Sequence, residues 1–161
     1  MVESLTIREA IPEEAGSLSA LAMRSKAHWG YSPEFMASCE GELTVDGSRI
    51  RNDDYLVWAI EKGDEIVGFY ALEPASSIDY ELAALFVEPR HIGSGAGRAL
   101  LSHALALLSR LGATRLTIQG DPNAVGFYLA AGARQIGEQM SGSIPGRSLP
   151  LFEIDIRSVG S

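Results

Sequence analysis

Glycines at 93, 95 and 97 alternate with Ser94 and Ala96, between an apolar run, Leu82 to Val87, and leucines at 101, 105, 108 and 111. A β-rich run, a glycine loop and a helical leucine period in that order constrain the fold more than any other feature of the chain. Glycines let the backbone approach a ligand closely, and the free N–H groups at the start of a helix attract anions. A phosphate site is therefore the physical reading of this segment. A bare strand-to-helix turn is the alternative, although one glycine usually suffices for it. A dinucleotide-binding loop needs a further glycine where Arg98 stands, and a P-loop needs a Gly-Lys-Ser or Gly-Lys-Thr sequence that is absent.

The elements around this loop alternate in type. Leu5 to Glu9 predicts a strand, and Pro12-Glu13-Glu14 opens a helix to about Lys26, with Leu18, Leu21 and Ala22 at helical spacing. Ser32-Pro33-Glu34 starts a second, short helix through Phe35, Met36 and Cys39, ending before Gly41. Tyr55 to Ile60 and Ile66 to Leu72 predict a hairpin, and Tyr80 to Val87 a strand buried on both faces. Gly112 suits the end of the leucine-rich helix, Arg115 to Gln119 is the next strand, and Asp121-Pro122-Asn123 opens a helix stopped by Gly132. Strands near Arg134 to Glu138 and Leu149 to Ile156 enclose a loop, Ser141 to Arg147. The order β, α, α, β, β, β, α, β, α, β, β argues for an α+β domain with a mixed sheet rather than a doubly wound parallel one.

A length of 161 residues suits one domain, and no linker or repeat divides it. A net charge of −8 repels phosphate backbones and anionic membranes, so neither nucleic acid nor a lipid surface is expected as a partner. Lone Cys39, a start without a basic and apolar leader, and no apolar stretch of membrane-spanning length point to the cytoplasm. No ligand spacing for a metal is seen.

Two segments carry a resemblance. Leu85-Phe86-Val87-Glu88-Pro89 with Gly93-Ser94-Gly95-Ala96-Gly97-Arg98-Ala99-Leu100-Leu101 resembles the acyl-CoA signature of the GNAT N-acyltransferases. Asp121-Pro122-Asn123-Ala124-Val125-Gly126-Phe127-Tyr128, followed by Ala131-Gly132-Ala133, resembles that family's second motif. The resemblance implies a single GNAT domain over residues 1–161, of three layers, whose mostly antiparallel sheet contains a splayed parallel pair. It further implies acetyl-CoA as co-substrate, with Leu85, Phe86 and Val87 meeting the pantetheine arm and Ile92, Gly93, Ser94, Gly95, Ala96, Gly97 and Arg98 holding the pyrophosphate. Ile92 departs from the family's usual Arg or Gln, and Arg90 or Arg98 stands near enough to supply the missing charge. Asn123 is a further cofactor contact or simply a helix-start residue.

An alkylamine is only about one part in a thousand neutral at pH 7, so acylation requires a base. Glu81, at the start of the cofactor strand, occupies the position where such enzymes often carry one; Asp79 and His28 are weaker candidates. The resemblance assigns the Tyr128 hydroxyl to the departing sulfur, while Phe127 is expected in the core. His28, Trp29 and Tyr31 at a helix break, with Ser143 and Arg147 in the late loop, are expected around the acceptor, Arg147 gripping an anionic group. A small-molecule primary amine, foremost one bearing a carboxylate such as an amino acid, is the expected acceptor. A peptide or protein acceptor, or a non-catalytic acyl-CoA-binding module, is the alternative, and the reading leaves room for a homodimer.

Overall fold

The computed structural model describes residues 4–140 and 146–159. Strand β1 (Leu5–Glu9) leads through a 3-10 turn (Pro12–Glu14) into helix α1 (Ala15–Ala27), and α2 (Pro33–Leu43) follows. Ser32 caps α2 by accepting a hydrogen bond from the Phe35 N–H at 3.1 Å. The helix continues past Gly41, because Leu43 and Met36 bury on the same side and a glycine there costs little against that packing. Strands β2 (Leu56–Lys62), β3 (Glu65–Pro74) and β4 (Asp79–Val87) form an antiparallel run. After a 3-10 turn at Pro89–His91, the glycine loop enters α3 (Ala96–Arg110). Then come β5 (Arg115–Gln119), a 3-10 turn (Pro122–Ala124), α4 (Val125–Ala130), β6 (Arg134–Met140), β7 (Ser148–Asp155) and a terminal turn of helix, α5 (Ile156–Val159).

The strands make one mixed sheet in the order β1-β2-β3-β4-β5-β7-β6, parallel only between β4 and β5. In the central strands β2 and β3 the side chains divide between two cores, as strand geometry allows. Ile60, Val67, Tyr70 and Leu72 meet α3, whose Leu100, Leu101, Ala104, Leu105 and Leu108 are buried. Val57, Ala59, Phe69 and Ala71 face the other way, against Leu18, Leu21 and Ala22 of α1 and Met36 and Cys39 of α2. Helices on both faces of the sheet give three layers. Leu111, read as part of the helical stripe, is the C-cap residue and 48% exposed; Gly112, at φ 83°, ends the helix.

The strand expected to be buried on both faces is not. In β4 only Leu82 and Val87 are buried, Ala83 is exposed, and Ala84 to Phe86 are half-buried. The apolar run borders a cleft rather than solid core.

Candidate active site

The cleft arises from a failure of pairing. β4 runs beside β5 only where Asp79–Leu82 meets Arg115–Ile118. On its other edge, β4 pairs Leu82 with Leu72 but Ala84 with Ala71, so Ala83 is an extra residue opposite β3. Such a bulge bends and twists its strand. Beyond Leu82, β4 parts from β5, and the edge from Ala83 to Val87 faces the gap with no strand of the described residues against it. That gap is a cleft of about 840 Å³ lined by Glu81 to Val87, the glycine loop, the ends of β5 and β7, and the α1–α2 region.

The glycine loop forms one end. Gly93 and Gly95 have φ of 87° and 94°, a left-handed region costly to other residues, and Gly95 caps α3. Their N–H groups make no backbone hydrogen bond among the described residues; in the first turn of α3 the Ala96 N–H donates to the Ser94 hydroxyl at 3.4 Å, and Gly97 and Arg98 add N–H groups at the helix start. Of the two nearby arginines, Arg90 is ion-paired with Glu65, whereas Arg98 lines the cleft with no ion pair among the described residues. Ile92 is 39% exposed at the same end. Donors, a helix N-terminus and one unspent guanidinium together suit an anionic phosphate group.

Tyr128, on α4, is buried against Phe152 at 5.5 Å between ring centroids and against Phe127 at 5.2 Å. Its hydroxyl makes no hydrogen bond among the described residues, yet no sealed side-chain oxygen there lacks a partner, so this oxygen meets the open cleft. Burial first, and the negative Asp121 second, push its pKa well above that of free tyrosine. The hydroxyl is therefore held protonated at neutral pH. Phe127, expected in the core, is half-buried and lines the cleft, with its ring so close to Gly97 that a Cβ there would stand 3.4 Å away.

Glu81 is exposed and lines the cleft at the last paired stretch of β4, with Thr117 of β5 as its registered neighbour. Asp79 instead pairs with Arg115 at 3.2 Å, outside the cleft lining. His28 is exposed and packs edge-on against Trp29, which is 44% exposed and does line the cleft. Tyr31 and Arg147 do not line the cleft. The Arg147 guanidinium donates to the Tyr31 hydroxyl at 3.0 Å, lies 3.8 Å from Asp121 and stacks on Phe35 at 4.6 Å, so its charge is engaged within the protein. Asn123 lines the cleft, donating to Tyr31 and Asp121. Ser143 lies outside the described residues. Asp121 itself, read from sequence only as a helix start, is the residue on which these contacts converge.

Comparison with known proteins agrees with this geometry. The family model described as "Acetyltransferase (GNAT) domain" matches residues 42–143. The chain is 30% identical to the peptidyl-lysine N-acetyltransferase YjaB of Escherichia coli (strain K12), over 93% of this chain and 95% of that protein. Among solved structures, a GCN5-related N-acetyltransferase from Rhodopseudomonas palustris superposes with a TM-score of 0.77 at 23% identity, covering 96% of this chain and 98% of that one. The PaiA N-acetyltransferase from Thermoplasma acidophilum, solved in complex with coenzyme A, gives 0.75 at 20% identity over 94% and 99%. With matched domain, relative and fold in agreement, the chain belongs to the GNAT family of N-acetyltransferases.

Proposed function

We propose that this protein moves an acetyl group from acetyl-CoA to a primary amine by direct attack of the amine, with Glu81 as base and Tyr128 as acid. The observation that carries the reading is one cleft lined together by an unpaired strand edge, a donor-rich glycine loop and a protonated tyrosine hydroxyl. The edge from Ala83 to Val87 offers backbone groups to the amides of the pantetheine arm, and the loop from Ile92 to Arg98 offers N–H groups and a guanidinium to the pyrophosphate. Bound there, the cofactor supplies an activated acetyl thioester. Glu81 takes the ammonium proton, directly or through water; as the nitrogen bonds the carbonyl carbon and the carbon–sulfur bond breaks, the Tyr128 hydroxyl gives its proton to the sulfur and regains the second proton shed by the nitrogen, leaving the amide and the free thiol.

The acceptor side of the cleft carries the exposed carboxylate of Glu81, which suits a cationic amine. Arg147, engaged with Tyr31 and Asp121, is not poised to clamp an acceptor carboxylate. A small diamine fits this lining. A lysine side chain presented by a protein is the second reading, favoured by the peptidyl-lysine N-acetyltransferase that resembles this chain over nearly its whole length.

The test is release of free coenzyme A from acetyl-CoA in the presence of 1,4-diaminobutane or of a lysine peptide with a blocked N-terminus. Amine-dependent release is expected, and release with the peptide alone selects the second reading. Cofactor binding without release by any amine means a binding module instead.

A further inference from the structure

A single carboxylate joins three segments around the acceptor side of the cleft. Asp121 accepts hydrogen bonds from the Tyr31 hydroxyl at 2.8 Å, from Lys26 Nζ at 3.1 Å, and from the Asn123 backbone N–H and Nδ2 at 2.9 and 2.8 Å. Arg147 stands 3.8 Å away and donates to the same Tyr31 hydroxyl. Lys26 lies in the last turn of α1, Tyr31 lies between α1 and α2, Asn123 lies in the turn before α4, and Arg147 immediately precedes β7. Tyr31 stacks on Phe35 at 4.2 Å, and the Arg147 guanidinium lies over both rings. The Asp121 side chain is 17% exposed, and those of Lys26 and Arg147 are 14% and 19% exposed, so the cluster is shielded. Its hydrogen bonds and cations outweigh burial and hold the Asp121 carboxyl below its ordinary pKa.

We propose that Asp121 is a positioning residue that ties the α1–α2 connection and the start of β7 to the turn bearing Asn123 and Tyr128. It thereby fixes the acceptor wall relative to the acid. The inference rests on the function proposed above, since Tyr128 matters here as the group facing the sulfur. Its physical basis is charge balance: one carboxylate compensates two partly buried cations from different segments. Removing that charge leaves Lys26 and Arg147 without the carboxylate that both approach, which loosens the hold between their segments. The cofactor end, built from β4 and the glycine loop, has no part in this cluster.

The experiment compares Asp121→Asn with wild-type protein. Asparagine still accepts the turn's N–H, so the turn itself is kept. Acceptor kcat/KM, with whichever of 1,4-diaminobutane or the blocked lysine peptide the wild-type protein acetylates, is expected to fall about tenfold or more. Acetyl-CoA affinity by calorimetry is expected to stay within about twofold. Adding Arg147→Met to Asp121→Asn should recover part of the loss, because it removes one of the two uncompensated cations. Amide exchange should rise at residues 29–35 and 147–151 but not along α3. Equal loss of cofactor affinity and acceptor turnover makes Asp121 merely structural, and unchanged acceptor kinetics overturns the proposal. If wild-type protein acetylates no amine, the functional reading fails, and unchanged exchange at both segments would then remove the tie as well.

Discussion

Tyr128 sits where burial and a nearby carboxylate both oppose loss of its proton, while its oxygen reaches the cleft without a partner from the described residues. A group in that state can donate at neutral pH and is not needed to hold the fold. Tyr128→Phe is therefore expected to lower kcat by about tenfold to a hundredfold while acetyl-CoA affinity changes little, the pattern of an interaction made mainly in the transition state. Steady-state kinetics beside calorimetric titration checks it, and equal losses in rate and affinity would make Tyr128 a binding group. Tyr128 was singled out because a Phe-Tyr pair stands in a recognisable motif, and the structure puts it on the cleft. Its neighbour Phe127, expected in the core, packs half-buried against it but also lines the cleft beside Gly97, which helical spacing does not reveal. The partners of Arg147 were equally hidden: Tyr31 and Asp121 lie 116 and 26 positions away and meet it only through the fold.

At the scale of elements, caps and periodicity carried the prediction well. Ser32 and Asp121 stand at the helix starts their sequences announce, and the chain order of strands and helices matches the expected one through β7, whereas the terminal helical turn α5, where the last strand was expected to continue to Ile156, was not foreseen. The burial of β4 was not legible, because an unbroken apolar run reads alike whether helices cover both faces or one flank opens onto a ligand cleft. The bulge at Ala83 that opens the cleft left no signal in an alanine pair. The glycine loop permits a sharper test. A Cβ at Gly95 meets no atom within 4 Å, so substitution there acts through its φ of 94° rather than through a clash with the protein. Gly95→Val is expected to distort the loop at a cost of about 1–2 kcal/mol, weakening acetyl-CoA binding roughly tenfold in calorimetry while the domain stays folded. Gly126→Ala, in α4 with open space and no left-handed φ, is the control and should leave affinity unchanged. Unaltered binding by Gly95→Val would place the phosphates elsewhere.

Over the whole molecule, the sheet separates two cores, and each holds buried tyrosines whose ionisation folding resists. Tyr70 and Tyr128 belong to the α3 side and Tyr55 to the α1–α2 side. Burial is the largest cause of the raised pKa in all three; Asp121 adds to it at Tyr128, and Glu73 at Tyr55. The Tyr70 hydroxyl is further held against His103 Nδ1 at 2.7 Å. Because the folded pKa values exceed the unfolded ones, the folded state keeps protons that the unfolded chain releases above about pH 10. The resulting stability is fully present below that pH and is lost as pH rises toward the folded values. Unfolding free energy from urea titrations is thus expected to be nearly level between pH 8 and 9 and to fall increasingly steeply above about pH 10. Tyr128→Phe should make that fall shallower, by removing one of the linked protons without removing a hydrogen bond within the described residues. Tyr70→Phe should flatten the slope in the same way but also lower stability at pH 8 by about 1 kcal/mol, through loss of its bond to His103. A Tyr128→Phe protein with the wild-type slope between pH 10 and 11 would show that the hydroxyl already exchanges its proton freely with solvent, and with it would go the argument that burial keeps the acid protonated.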